Sequence, residues 1–204
     1  MRELPHTLTE KHLSDCKAYP DRLELISSFG RGGVVAEVGV ARGSFSQSIF
    51  NATGPERLIL IDYWREGKYA HGKAPNAEKG KGIVGSDYEH VKSRFSKHIE
   101  SGRVRLIRDW SWGGLKQIED AQLDWVYIDA GHDFDSVTKD LMAVLPKMKP
   151  GGIIAGHDYV RWGRFGYRCG VIEAVTKFCV EQEFKIIGLT FERQYPPSYA
   201  LQKI

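Results

Sequence analysis

The pattern of apolar and polar residues along the chain predicts short strands that alternate with amphipathic helices. Apolar, β-branched runs predict strands at Val34–Val40, Leu58–Asp62, Val104–Arg108, Leu123–Asp129 and from Ile153. Apolar residues three and four positions apart predict helices from about Ser44, over Tyr88–Ile99, from about Asp135 and over Val171–Val180. Near the end of the chain a Pro-Pro pair stands between two apolar runs, which predicts an antiparallel hairpin.

Strands that alternate with helices are joined by right-handed crossovers, which gives a mostly parallel sheet with helices on both faces. With the hairpin at one edge, the prediction is an α/β, Rossmann-like, doubly wound fold with a seven-stranded sheet. The 204 residues fit a single domain, 1–204. We expect an N-terminal helical extension at 1–31 and a lid loop at 63–87, a long polar segment rich in Gly and Lys.

Composition and charge narrow the function classes only slightly. The net charge is +3 and the isoelectric point about 8.7, too weak a bias to indicate a nucleic-acid partner. The three cysteines, Cys16, Cys169 and Cys179, form no C-x-x-C pair, which argues against a disulfide framework and a structural zinc site. No apolar run is long enough for a membrane span. We therefore expect a cytoplasmic protein, whose N-terminal helices are available to pair two copies into a homo-oligomer.

The first candidate site follows the first predicted strand, in the segment EVGVARGSF (Glu37–Phe45). Gly39 lets a ligand approach the backbone, because no Cβ intervenes. Gly43 allows a tight entry into the next helix, whose N-terminus offers free N–H groups. The Gly39-x-x-x-Gly43 spacing differs from the G-x-G-x-x-G of dinucleotide-binding folds, which counts against NAD or FAD. Glycines at such a turn can also serve packing alone, so both interpretations stay open.

Two further strand ends carry residues suited to a nucleoside. Asp62 ends the second predicted strand, where one carboxylate can accept hydrogen bonds from both hydroxyls of a ribose. A helix cap or a solvated charge is the alternative. After the third strand, the segment RDWSWGG offers Asp109 as an acceptor for an exocyclic amine. Trp110 or Trp112 can cover an aromatic ring there, although packing alone explains a tryptophan about as often.

The densest group of titratable residues lies in two segments, DWVYIDAGHDFDSV and GGIIAGHDY. The fourth and fifth predicted strands are expected to be neighbours, which brings Asp129 and His132 opposite His157 and Asp158. Such a group can hold a hard divalent cation through its carboxylates. It can also use His132 as a general base with a near-neutral pKa, oriented by a neighbouring carboxylate. The carboxylates that follow His132 are expected to include a cap for the next helix.

Together these segments resemble the class I S-adenosylmethionine-dependent methyltransferases, and among them the small bacterial enzymes related to sugar and macrolide O-methyltransferases. The resemblance runs from about Val34 to Tyr159 and rests on EVGVARGSFS, LILIDYW, YIDAGHDFDSVTKDL and LPKMKPGGIIAGHDY, in the order that the family shows. The last two segments are the most specific. The resemblance implies a Rossmann-like fold, S-adenosylmethionine as methyl donor and, in metal-dependent relatives, Mg²⁺.

The resemblance also implies roles for residues at the strand ends. The implied cofactor-binding residues are Glu37, Gly39, Gly43, Asp62, Tyr63, Trp64, Asp109, Trp110 and Asp129. Glu37 and the backbone at Gly39 would hold the methionine part of the cofactor. Asp62 would bind the ribose hydroxyls, with Tyr63 or Trp64 beside the ribose or adenine. Asp109 and Trp110 would contact the adenine.

Asp129 and His132 are the implied catalytic residues. Asp129 would lie near the point of methyl transfer, and His132 stands where some sugar-modifying relatives carry a carboxylate. Asp129 and Asp158 match positions that bind magnesium in metal-dependent relatives, with His157 as a weaker additional ligand. Those relatives commonly have Asp-Asp or Asp-Asn where this chain has His157-Asp158. A metal ion and a histidine base therefore stay as alternatives.

The expected function is methyl transfer from S-adenosylmethionine to an oxygen of a small hydroxylated acceptor, such as a sugar, a glycan precursor or a natural product. Lys68, His71 and Lys73 of the long polar segment would meet an anionic acceptor. The alternatives are a nicotinamide-dependent oxidoreductase and a non-catalytic nucleoside-binding module on the same fold. The glycine spacing argues against the oxidoreductase. Methylation of RNA is a further alternative, which the modest net charge disfavours.

Overall fold

The computed structural model describes residues 6–64, 86–162, 166 and 168–204. The strands in these ranges are β1 (Lys17–Tyr19), β2 (Val34–Val38), β3 (Arg57–Asp62), β4 (Val104–Arg108), β5 (Leu123–Ile128), β6 (Met148–Gly156), β7 (Phe184–Thr190) and β8 (Tyr199–Lys203). The helices are α1 (Arg22–Ser27), α2 (Ser44–Thr53), α3 (Ser86–Arg94), α4 (Ser96–Glu100), α5 (Ser111–Leu115), α6 (Phe134–Val144) and α7 (Val171–Gln182). Short 3₁₀ turns lie at Glu10–His12 and Leu145–Lys147.

The strands form one eight-stranded sheet in the order β1-β7-β8-β6-β5-β2-β3-β4. β8 runs antiparallel to β6 and β7, and the other neighbouring pairs are parallel. The predicted α/β fold with an antiparallel C-terminal hairpin is therefore confirmed. β2 and β5 are neighbours, while the chain continues from β2 to β3 on one side and from β5 to β6 on the other. This switch point is where open α/β sheets bind their ligands.

The sheet has one strand more than the seven predicted, because β1 pairs with the edge of β7. β1 lies in the segment 1–31, where the sequence predicts a helical extension. From residue 6 onward that segment contains β1, the six-residue helix α1 and one 3₁₀ turn. β1 is only three residues long and carries no alternating pattern, so its strand conformation depends on pairing with β7 rather than on its own sequence.

Strand residues alternate between two buried faces, as a doubly wound sheet requires. Ala36 belongs to the apolar cluster that α6 and α7 cover, and its neighbour Val35 belongs to the cluster on the side of α1 and α2. Both clusters reach the ends of the parallel strands and hold those ends in place. Among the helices that the structure describes, none combines the length and apolar character needed to cross a bilayer.

Local differences from the predicted elements have local causes. The predicted helix Tyr88–Ile99 is divided at Phe95 into α3 and α4. β6 begins at Met148 rather than at Ile153, so the segment KPGG belongs to the strand and does not precede it. α5 was not predicted, since two glycines disfavour a helix. Most of the predicted lid, 63–87, lies outside the described residues, as do Lys68, His71 and Lys73.

Candidate active site

The ends of the parallel strands meet at one edge of the sheet, where backbone hydrogen bonds join the segments that follow them. The N–H of Asp129, after β5, donates to the carbonyl of Val38 at 2.7 Å. The N–H of Gly39, after β2, donates to the carbonyl of Ile61 at 2.8 Å. The segments after β2, β3 and β5 therefore lie side by side at the switch point.

Gly39 is required by this close packing. Its φ is +93°, and a Cβ placed on it would lie 2.0 Å from the carbonyl oxygen of Asp129. Only glycine therefore lets the ends of β2 and β5 approach so closely. Gly43, with φ +70°, stands directly before the first residue of α2 and allows the predicted tight entry into that helix. Packing against Asp129 thus accounts for Gly39.

Asp62 at the end of β3 organises two loops with its carboxylate. Oδ2 accepts a hydrogen bond from the N–H of Ala41, and Oδ1 accepts one from the N–H of Trp64, both at 2.8 Å. Ala41 and Trp64 have φ of +48° and +36°, a conformation that disfavours residues with a side chain. Asp62 offsets that strain. A carboxylate has about four lone-pair sites, so two stay available for the hydroxyls of a ribose.

The two aromatic residues after Asp62 have different environments. Trp64 is only 6% exposed, and its indole N–H donates to the carbonyl of Ala41 at 2.9 Å. Its ring packs edge-on against Tyr88. Trp64 therefore supports the turn at Ala41 from the buried side. Tyr63, in contrast, is 40% exposed to solvent.

Tyr63 is the first ring of a surface stack that also contains Trp110 and Trp112, here called the aromatic stack. The centroids of Tyr63 and Trp110 are 4.1 Å apart with 19° between the ring planes. Those of Trp110 and Trp112 are 5.6 Å apart with 9° between the planes. Trp110 is 51% exposed. The stack offers large, flat apolar surfaces next to Asp62, which is the kind of surface a nucleobase packs on.

Asp109 lies at the base of this stack. Its Oδ1 accepts a hydrogen bond from the N–H of Trp110 at 2.7 Å, and its Oδ2 accepts one from the amide of Gln117 at 3.0 Å. A Cβ on Gly113 would lie 2.7 Å from Oδ1, so glycine makes room for the carboxylate. In the structure Asp109 therefore fixes the start of α5. Its contact with an adenine stays a prediction.

Glu37 is a buried carboxylate in β2, next to the turn. The hydroxyl of Ser46 in α2 donates a hydrogen bond to it. Burial raises the pKa of Glu37 to about 8; the Ser46 hydrogen bond opposes this, and the nearby Asp129 and Asp62 carboxylates add to it. Glu37 is therefore largely neutral at pH 7, and a cation bound beside it would draw out its proton.

Asp129, His132, His157 and Asp158 form a compact group across the ends of β5 and β6, here called the charge cluster. Nε2 of His132 lies 2.9 Å from Oδ2 of Asp158 and 3.4 Å from Oδ1 of Asp129. Nδ1 of His157 lies 3.4 Å from the same Asp158 oxygen and 3.6 Å from the same Asp129 oxygen. The prediction that these four residues face one another is confirmed. Asp133 caps α6 through the N–H of Ser136, as expected for the carboxylates after His132.

Electrostatics within the charge cluster favours two imidazolium cations and two carboxylates. Burial acts to lower the pKa of His132, but its hydrogen bonds with Asp129 and Asp158 outweigh this and raise the pKa to about 10. The pKa of His157 rises to about 9 against the same burial effect. Burial opposes ionisation of Asp129, yet its hydrogen bonds with the imidazoles lower its pKa to about 2. The near-neutral pKa expected for His132 is therefore wrong for this arrangement, in which His132 already holds a proton.

The charge cluster suits magnesium poorly. Asp129, His132 and Asp158 each offer one ligand atom, and these atoms lie within 4.8 Å of one another. Mg²⁺ prefers six oxygen ligands in an octahedron, whereas imidazole nitrogens suit zinc, iron, nickel or copper. The carboxylate oxygens here also already face imidazole nitrogens. The donor set therefore does not fit Mg²⁺.

Arg22 is a site residue that sequence reasoning missed. It is the first residue of α1, and its guanidinium lies 4.8 Å from the ring of Phe45 and 5.0 Å from the ring of Tyr195. Its Nε is 3.7 Å from a carboxylate oxygen of Glu192. Burial acts to lower the pKa of Arg22, but nearby groups that include Asp129 raise it overall. No local motif marks this arginine, because its position depends on how β1 and α1 pack beside β7 and α2.

Comparisons with known proteins point to one family. A family model described as a methyltransferase domain matches residues 36–159, more than half of the chain. No curated protein sequence matches the chain.

Solved structures share the fold at low sequence identity. A SAM-dependent methyltransferase from Aquifex aeolicus is 12% identical, with a TM-score of 0.61 over 96% of this chain and 94% of that one. An rRNA methylase from Streptococcus thermophilus is 12% identical, with a TM-score of 0.61 over 91% and 98%. The M1A22 tRNA methyltransferase TrmK from B. subtilis is 12% identical, with a TM-score of 0.59 over 91% and 66%. At these identities the likeness is one of fold.

Proposed function

Because the chain belongs to the methyltransferase domain family, we propose that it transfers a methyl group from S-adenosylmethionine to an oxygen of a small hydroxylated acceptor. A sugar, a glycan precursor or a natural product of similar size is the acceptor class, in line with the resemblance to sugar and macrolide O-methyltransferases. Bound S-adenosylmethionine supplies a methyl group on a positively charged sulfonium, which a nucleophile displaces in line. The residues of the chain have to align the acceptor hydroxyl and accept its proton.

The observation that carries this proposal is the charge cluster beside the turn after β2. His132 holds a proton between Asp129 and Asp158. A positive charge bound next to Asp129 disfavours the imidazolium form and lowers the pKa of His132. Cofactor binding therefore favours release of the His132 proton to solvent, which prepares His132 to act as a general base.

The geometry at Nε2 of His132 supports the proton transfer. The contact to Asp158 at 2.9 Å has hydrogen-bond length, whereas the contact to Asp129 at 3.4 Å is longer than a good hydrogen bond. An acceptor hydroxyl can take the place of the weaker partner. Once its own proton has been released to solvent, Nε2 has one lone pair, which receives the hydroxyl proton as the oxygen attacks. The carboxylate of Asp158 then stabilises the imidazolium that forms.

The opposite side of the edge is suited to the cofactor. We propose that Asp62 binds the ribose hydroxyls, and that Tyr63 and Trp110 of the aromatic stack hold the adenine. Glu37 and the turn at Gly39 and Gly43 would hold the methionine part, and the ammonium of the cofactor would favour the ionised form of Glu37, whose proton is released to solvent. These roles place the sulfonium between the turn after β2 and Asp129, next to the charge cluster.

A cavity at the starts of α6 and α7 has the size of a small acceptor, and none of the charge-cluster side chains lines it. It measures about 700 Å³ and is lined by Phe134, Gly170 and Glu173, among others. Gly170 connects it to the cluster, because its N–H donates to the carbonyl of His132 at 2.8 Å. Pockets for small molecules commonly measure about 300–1,000 Å³. A cavity of this size can accommodate a sugar-sized molecule, which supports the proposed acceptor class.

Two measurements test the proposal. Calorimetry with S-adenosylhomocysteine is expected to give micromolar binding that Asp62→Ala abolishes, and NAD is expected not to bind. Transfer of labelled methyl from S-adenosylmethionine is then compared between a set of sugars and hydroxylated natural products and total RNA. Label in the small molecules supports the proposal. Label only in RNA would replace the acceptor, and binding without transfer to any acceptor would favour a nucleoside-binding module.

A further inference from the structure

Asp140 is a carboxylate in the middle of α6 that is completely buried. Its neighbours on the buried side of that helix are apolar: Val137, Leu141 and Val144. Oδ1 accepts a hydrogen bond from the hydroxyl of Ser111 at 2.5 Å. Among the residues that the structure describes, Oδ2 has no hydrogen-bond partner. A buried carboxylate with an unsatisfied oxygen costs stability, so stability alone does not explain an aspartate here.

The partner of Asp140 stands at the start of α5. Ser111 is the first residue of this helix and directly follows Trp110. α5 has only five residues, which is too short for a helix to hold its position without outside contacts. On its strand side, Gly114 packs so closely that a Cβ would lie 2.3 Å from Ile61. On its other side, the bond between Ser111 and Asp140 fixes it to α6.

A second contact, from the residue that precedes Asp140 in α6, supports α5. Nζ of Lys139 lies 5.5 Å from the ring centre of Trp112, within the range of a cation–π interaction. Adjacent residues of α6 therefore hold both the first residue of α5 and the last ring of the aromatic stack. α6 itself begins beside the charge cluster, since its N-cap Asp133 follows His132. The helix thus connects the two sides of the site.

We propose that Asp140 is a positioning residue, which through Ser111 holds Trp110 and Trp112 in the orientation that binds the nucleoside part of the cofactor. The proposal rests on the proposed function for the identity of that ligand. Asp140 does not touch the ligand in this view. It acts through α5. One of its oxygens accepts the hydrogen bond from Ser111, and the other has no partner among the described residues.

The test measures S-adenosylhomocysteine binding and near-ultraviolet circular dichroism of Asp140→Ala, Ser111→Ala and the double variant. Each single variant is expected to weaken binding about tenfold, as the loss of a hydrogen bond to a charged group would. Because both act through one bond, the double variant should bind about as weakly as either single one. The dichroism of the stacked indoles should change in the absence of ligand. Asp140→Asn keeps an acceptor oxygen and should restore both properties.

Val144→Ala is the matched control for general loss of stability, because it removes fully buried apolar atoms from the same helix. It should lower the melting temperature and leave binding within about twofold of wild type. The proposal is overturned if Asp140→Ala melts at a lower temperature but keeps both its affinity and its dichroism, or if the two single losses simply add. If wild type itself fails to bind S-adenosylhomocysteine, the proposed function fails. The dichroism of the unliganded variants then still decides whether Asp140 positions the rings.

Discussion

Nε2 of His132 lies 2.9 Å from Oδ2 of Asp158, which joins the loop after β5 to the end of β6. Asp158 has φ +56°, a conformation uncommon for a residue with a side chain. Its carbonyl accepts hydrogen bonds from the N–H of Val160 at 2.6 Å and from the thiol of Cys169 at 3.4 Å. The surroundings thus hold a strained residue in the position where its carboxylate meets His132, as is common at functional sites.

Removing either partner of this pair should affect the rate of transfer more than cofactor binding. His132→Ala and Asp158→Asn are each expected to lower kcat by about a hundredfold or more, the range typical of general acid–base catalysis. The reason is that the base is lost in the first variant and loses its orientation and charge partner in the second. Steady-state kinetics with the identified acceptor measures this effect. S-adenosylhomocysteine affinity is the control, and a comparable loss of affinity would assign the pair to binding instead.

The ionisation of Glu37 should appear in the pH dependence of stability. In the folded protein its pKa is raised from 4.5 to about 8, so between these values unfolding releases a proton. The free energy of unfolding contributed by Glu37 is therefore fully present below about pH 4.5 and is lost as the pH rises to about 8. Glu37→Gln removes this dependence. Denaturant titrations at pH 5 and pH 8 should show the variant gaining stability over wild type at the higher pH.

Ligand binding tests the protonation state of Glu37 independently. If the cofactor draws the proton from Glu37, S-adenosylhomocysteine binding at pH 7 should release protons. Calorimetry in two buffers that differ in ionisation enthalpy measures that release, and Glu37→Gln should reduce it. A pH-independent stability difference together with unchanged proton release would contradict a neutral Glu37 in the folded protein without cofactor.

The sequence predicted the parts of the site that depend on single strands. Asp62, Asp129 and Asp158 stand at or directly beyond the ends of apolar runs, and parallel strands place their carboxyl ends at one edge. This was enough to bring Asp129 and His132 together with Asp158. The alternation of strands and helices likewise led to the right fold class and to the antiparallel hairpin.

The missed parts depend on packing between distant segments. β1 is a strand because of its pairing with β7, and α5 forms because Gly114 lets it approach Ile61 closely. The pKa of His132 depends on two carboxylates at hydrogen-bond range, which only the three-dimensional arrangement reveals. Local sequence carries no signal for such contacts, so Arg22 and the bond between Ser111 and Asp140 could not be predicted from it.

Substitution of Gly39 tests whether close packing, rather than backbone conformation alone, requires a glycine there. Gly39→Ala should lower the free energy of unfolding well beyond the roughly 1–2 kcal/mol that a left-handed conformation costs, because its Cβ would lie 2.0 Å from the Asp129 carbonyl. Gly30→Ala is a matched control, since Gly30 has φ +92° and open space around it. Chemical denaturation compares the two. Equal losses would show that the conformation alone explains Gly39.

Magnesium should have little effect on the protein. The donor set of the charge cluster contains two imidazoles, so removal of divalent cations with EDTA should leave the transfer rate within about twofold. Assays with and without added Mg²⁺ after chelation measure this. A transfer rate that requires Mg²⁺ in wild type would contradict the assignment of proton transfer to His132 alone. Loss of the Mg²⁺ effect in Asp158→Ala would then place the ion at Asp158.

Cofactor binding should be visible in tryptophan fluorescence, because the rings of the aromatic stack contact one another directly. The ring centroids of Tyr63 and Trp110 are 4.1 Å apart, which is van der Waals contact and leaves no space for a third ring between them. An adenine must therefore part the two rings or cover the exposed part of Trp110, and either event changes the emission of that indole. Titration with S-adenosylhomocysteine should produce a saturable change that Trp110→Phe largely removes. Trp162→Phe is the matched control, since Trp162 is 67% exposed and lies outside the stack. A signal that survives in Trp110→Phe but is lost in Trp162→Phe would place the adenine away from the stack.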